Sequence, residues 1–204
     1  MNTYLIKPFI TVCLALLFAL GGLAQDQSKI DSLNVACGEL KPDSNRVNCL
    51  IELSGEWLVA DPTTSLQYST LALELAQSLG HQEILIKAHK ATALSHGYLL
   101  DPESSKPHYL EAIKLLDQLG DENRKGNMYL NLGADYIYTA QYDSCMHYLL
   151  KALPIYRSVG NKLGVSKVHN NLAIAYRHMG YFNEAISTYR QSIAYKKEVD
   201  NREG

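Results

Sequence analysis

The same punctuation returns every forty residues along this chain. Leu79–Gly80, Leu119–Gly120, Val159–Gly160 and Val199–Asp200 are each forty apart, and so are Asp61–Pro62 and Asp101–Pro102. Sliding Gly160–Asn161–Lys162 back by one period lands it on Gly120–Asp121–Glu122. The same slide sets Leu172–Ala173 on Leu132–Gly133, Tyr176 on Tyr136, Ala185 on Cys145 and Tyr189 on Leu149. A period of this length marks stacked supersecondary units, none of which can bury its apolar face alone.

Within each period the residues spell paired helices. Asp can cap free N–H groups, and proline at the first helical position gives up a hydrogen bond that would not have formed. Glycine ends the helices in turn. The reading gives helices near 62–79, 82–99, 103–119, 123–139, 143–159, 163–179 and 183–198. Before them, Ile30, Leu33, Cys37 and Leu40 form one apolar helical face, and Val47, Leu50, Leu53, Ser54 and Trp57 form another. The expected fold is all-α, a solenoid of antiparallel helix pairs. Residues 25–43 make an N-terminal capping helix, and four pairs span about 44–79, 80–119, 120–159 and 160–199. Residues 200–204 open a fifth copy. No polar capping helix follows, so the chain is read as a fragment of a longer protein, or as one whose last repeat self-associates.

Residues 1–24 read as an export signal. Lys7 precedes an apolar run from Phe9 to Leu20, and Gly22–Leu23–Ala24 places small residues at a cleavage site. A spanning helix needs roughly 20 apolar residues, which this segment barely approaches before Gln25 and Asp26 end it. The expected location is therefore exported, periplasmic or secreted, with cleavage near Ala24. The whole chain carries 19 Lys and Arg against 21 Asp and Glu, a net charge of −2. With no basic run, nucleic acid is not an expected partner.

Leu132–Gly133–x2–Tyr136 followed by Cys145, Leu149 and Ala152 resembles the signature of tetratricopeptide repeats, as does Leu172–Ala173–x2–Tyr176 followed by Ala185 and Tyr189. The likeness covers roughly residues 45–199. It is weaker in the first two copies, where Thr92–Ala93 and His96 replace Leu–Gly and Tyr. The resemblance implies a right-handed superhelical solenoid with a concave groove that takes a protein or peptide. The forty-residue period resembles the longer variants of kinesin light chains and bacterial peptide-sensing regulators. Close approach of two helix backbones explains the small residue at Ala93, Gly133 and Ala173.

If Leu132, Gly133 and Tyr136 face the core, the opposite stripe at about 100° per residue is fixed. It holds Lys87, Ala91, Leu94 and Tyr98 in the second copy, and Asn127, Asn131, Ala134 and Tyr138 in the third. The fourth supplies Lys167, Asn171, Ile174 and His178. An asparagine amide both donates and accepts, so Asn131 and Asn171 could hold an extended backbone whatever its side chains. Proteins of the resembling family use asparagines here in that way. The competing reading is that these side chains bond across to the next repeat and stiffen the stack. The two-lysine carboxylate clamp of chaperone-binding relatives is missing, since Leu94 follows Lys90 where that motif has Asn.

No zinc-protease helix, phosphate loop or nucleophile turn is present. The seven histidines are scattered along the chain, and no metal, cofactor or catalytic residue is expected. Cys37 and Cys49 lie symmetrically about the turn at Pro42–Asp43. They either bridge or form two buried small residues, the bridge requiring Cα atoms within about 7 Å. Cys145 should be buried and unpaired. The functional expectation is a non-catalytic peptide- or protein-binding scaffold. The alternative is the extracytoplasmic sensory region of a longer signalling enzyme, a membrane-anchored histidine kinase or nucleotide cyclase.

Overall fold

The computed structural model describes residues 28–200; the signal-peptide reading of 1–24 and the residues after Asp200 lie outside them. Nine α-helices and no strand occur among the described residues. α1 covers 28–39. The others are α2 (Ser44–Trp57), α3 (Pro62–Leu79), α4 (Gln82–Tyr98), α5 (Pro102–Leu119), α6 (Glu122–Tyr138), α7 (Tyr142–Ser158), α8 (Lys162–His178) and α9 (Phe182–Asp200). None is long and apolar enough to cross a membrane.

The punctuation acts as the residues predict. Asp61 caps α3 by accepting from the Thr63 and Thr64 amides, with Pro62 opening the helix. Asp101, Asp121 and Asn161 accept from the third residue onward at the starts of α5, α6 and α8. α4 and α7 begin without a side-chain cap. Turns between repeats close on Gly80, Gly120 and Gly160 at φ 68°, 68° and 69°. Within repeats the matching position is Leu100, Ala140 or Gly180, so two side chains occupy the left-handed region at φ 58°.

Each helix packs on its neighbour in sequence, and α2, α4, α6 and α8 also touch in series. The second helices, α3, α5, α7 and α9, make no such contacts with one another. The first helices therefore form the crowded inner wall and the second helices splay outside. Backbone approach within a pair depends on small residues: a Cβ on Gly133 would lie 2.8 Å from Leu149 Cγ and 3.2 Å from the Cys145 carbonyl. The large core runs from Ile86 to Ala175, with a smaller one around Val47, Ala72 and Ala88 and a third around Ile30, Cys37 and Leu53. A buried hydroxyl chain links α2, α3 and α4. Ser54 meets Ser65 at 3.0 Å, Ser65 meets Ser95 at 2.8 Å, and Ser69 meets Ser95 at 3.3 Å.

Cys37 and Cys49 form a disulfide across the α1–α2 turn, their Cα atoms 5.6 Å apart. That separation lies within the reach of about 7 Å that a bridge requires. Cys145 is buried and free, and burial pushes its thiol up to about 12. The histidines are less scattered than the sequence suggests. His89 and His96 on α4 meet His108 on α5, with 3.2 Å between the Nδ1 atoms of His89 and His108 and 5.8 Å between the stacked rings of His96 and His108. No group of three or more His, Cys, Asp or Glu is arranged to hold a metal among the described residues.

Candidate functional site on the inner wall

Tyr156 of α7 sets the spacing of α6 and α8. Its buried ring fills the space a side chain would need at Gly126 and Gly164, where a Cβ would come within 3.0 Å and 2.4 Å of it. Its hydroxyl donates to Asn127 Oδ1 at 2.7 Å. Two glycines on neighbouring inner helices thus let one tyrosine pin both, and the stripes on α6 and α8 face a common space.

That space is a groove of about 600 Å³. Of the predicted stripe it brings together Asn127, Asn131, Ala134, Lys167 and Asn171. It adds Lys90 from α4, Asn170 from α8 and Lys196 from α9, which the stripe rule did not select. No acidic partner within salt-bridge distance is found for Lys90, Lys167 or Lys196 among the described residues. The groove is therefore amide-rich and basic.

The asparagines differ in how free they are. The Asn127 oxygen is engaged by Tyr156. Asn131 faces the buried Tyr109 hydroxyl, whose ionisation burial pushes well upward, with the Asp135 charge adding to it. Asn171 is half-buried, and its side-chain oxygen accepts from the neighbouring Asn170 amide at 3.5 Å. The Asn127 bond joins α6 to α7 within one repeat and does not cross to the next.

The remaining stripe residues go elsewhere. Lys87, Ala91 and Leu94 line a recess of about 200 Å³ between α2 and α4, with Lys87 donating to Asn48 at 3.4 Å. Ile174 packs against the large core. His178 stacks on Tyr142 of α7 at 5.9 Å and so leaves the aromatic row. Tyr98 and Tyr138 stay together, lining a pocket of about 310 Å³ with Gly97, Leu100 and Asp135. Asp135 is the polar residue that the stripe missed. It accepts from Ser105 Oγ at 2.8 Å, and burial pushes its carboxyl up to about 7.

No curated protein matches this sequence. Residues 124–198 match the family model for the tetratricopeptide repeat. Among solved structures, BtubC from P. vanneervenii superposes with a TM-score of 0.69 at 20% identity, over 94% of this chain and 80% of that one. A Pyrococcus horikoshii signal transduction ATPase with a tetratricopeptide repeat sensor superposes at 0.73 and 15% identity, over 98% of this chain and 31% of that one. A Rap protein complexed with competence and sporulation factor gives 0.72 at 15% identity, over 91% and 53%. This chain thus spans about half or less of the latter two. At these identities the likeness is one of fold. Helix pairs stacked at a forty-residue period carry this likeness, and over residues 124–198 the chain matches the tetratricopeptide repeat.

Proposed function

We propose that the chain is a non-catalytic scaffold that binds an extended peptide or protein segment in the groove between α4, α6 and α8. The observation that carries this reading is the convergence of Asn131 and Asn171 with Lys90, Lys167 and Lys196 on one open groove of about 600 Å³. Amides one repeat apart can each pair with a peptide N–H and C=O, and the unpaired lysines favour a segment with acidic side chains or a free carboxyl end. The fold's likeness to a Rap protein complexed with competence and sporulation factor supports a peptide-sized occupant. The test compares wild type with Asn131→Ala/Asn171→Ala. Capture of partners from the exported fraction should be lost, while Asn171→Ala alone shifts stability by less than about 0.5 kcal/mol. Retained capture by the double variant overturns the assignment.

An exported location accompanies this proposal. It rests on the reading of residues 1–24 and is supported by the Cys37–Cys49 bridge, since such bonds persist in oxidising compartments. The mature protein should begin at Gln25, as N-terminal sequencing would read. A second reading, that these repeats are the input region of a longer signalling protein, is favoured by the likeness to the ATPase with a repeat sensor. The reading frame past Gly204 tests it: a further apolar run of about 20 residues is expected.

A further inference from the structure

The pocket between α4 and α6 departs from the repeat at two positions that meet in space. Asp135 has Ser95 forty residues before it and Ala175 forty after. Its partner column runs Ser65, Ser105, Cys145. In the preceding repeat the equivalent contact is Ser65 to Ser95 at 2.8 Å, a neutral hydroxyl pair. A small neutral side chain therefore suffices for packing here, and the carboxylate is not required by the fold. Gly97 is the second departure, because its column in the next two repeats holds Ile137 and Arg177. A Cβ on Gly97 would lie 2.5 Å from Asp135 Oδ1 and 2.7 Å from Oδ2. Absence of a side chain at 97 is what leaves room for the carboxylate at 135.

The acid so accommodated has one hydrogen-bond donor, Ser105, and no ion-pair partner among the described residues. A half-buried carboxylate held this way favours any cation that can reach it. Access lies past Tyr98 and Tyr138, which are 50% and 75% exposed and share the pocket wall. Exposed aromatic faces beside an uncompensated carboxylate suit an ammonium or guanidinium group, which the ring faces attract as well. Asp135 also stands one helical turn beyond Asn131, at the edge of the basic groove. A chain held by its backbone at Asn131 and Asn171 would thus present a side chain to an acidic spot on an otherwise basic wall.

We propose that this pocket receives one basic side chain, arginine or lysine, of the peptide bound along the groove, with Asp135 as counter-charge and Tyr98 and Tyr138 as walls. The inference rests on the peptide-groove reading above. It makes that groove selective for a segment with a basic residue next to the part held by the asparagines, because a neutral residue there leaves Asp135 unpaired.

Amide-resolved NMR titration of the folded protein at pH 8 tests it with three probes: N-acetyl-arginine methylamide, its neutral citrulline counterpart, and a neutral acetylated hexapeptide of alternating Ala and Ser. The arginine probe should shift the Gly97 and Asp135 backbone amides saturably, bind roughly tenfold tighter than citrulline, and lose that advantage in Asp135→Asn. Equal binding of the arginine and citrulline probes, or an arginine response unchanged in Asp135→Asn, overturns the inference. The hexapeptide should shift the Asn131 and Asn171 side-chain amides. If it does so while Gly97 is silent to arginine, the basic-residue pocket falls and the groove stands. If those amides are silent while Gly97 responds, the groove reading falls and the cation pocket remains as an isolated site.

Discussion

Two half-buried titratable residues give opposite pH slopes, and each can be silenced separately. Burial raises the Asp135 carboxyl to about 7 from an ordinary value of 3.8. Between those values the native state keeps a proton that the unfolded chain has lost, so stability falls as pH rises through the window. Asp135→Asn removes the penalty. Its melting temperature should exceed that of wild type at pH 8, by at most about 4 kcal/mol in stability, and the gap should close by about pH 4. His108 runs the other way, lowered from 6.5 to about 4 by burial and then by the charges of His89 and His96. Here the unfolded chain takes the proton first, and stability is lost as pH falls from about 6.5 toward 4. His108→Gln should flatten that acid limb in a pH series of thermal melts. The Asp135 anomaly was legible in the forty-residue slide, as an acid between Ser95 and Ala175. The histidine meeting was not, because His89 and His108 are drawn together only when α4 folds back on α5.

Helices and turns carry strain that single substitutions should expose. Ala140 holds a left-handed conformation at φ 58° where the next repeat has Gly180. That conformation costs an L-residue roughly 1–2 kcal/mol, and glycine's extra unfolded freedom cancels part of the relief. Ala140→Gly should therefore stabilise by about 0.5–1 kcal/mol in a urea titration. Gly133→Ala should do the reverse despite the better helix propensity of alanine. Its Cβ meets Leu149 and the Cys145 carbonyl, and overpacking costs about 1–3 kcal/mol. At the N-terminal end, Cys37→Ser/Cys49→Ser opens a short loop and should cost about 3 kcal/mol on the chain-entropy account, read as a lower denaturation midpoint. The helix boundaries lay open in the sequence to within a residue or two, since caps, prolines and glycines act locally. Whether Cys37 and Cys49 bridge did not, because it turns on the rotation and register of one helix against the other.

Among the described residues, helix contacts run between neighbours in a linear stack, and the cores are correspondingly segmented. Stability in such an array is a sum of local terms and interfaces. Native-state hydrogen exchange should accordingly be slowest in α5 to α8, where the large core is continuous, and fastest in α9, of whose side chains only Ala185 and Ser192 are buried. The period, the pairing of helices and the presence of an inner stripe were determined by the sequence alone, because a repeat unit that cannot bury its apolar face must stack, and stacking fixes which face remains. How that stripe divides was decided by tertiary structure. Tyr156 pins Asn127 and aligns α6 with α8, His178 turns to Tyr142, and the void at Gly97 admits Asp135. Each depends on a side chain from another helix filling or vacating a space, which helical periodicity does not encode.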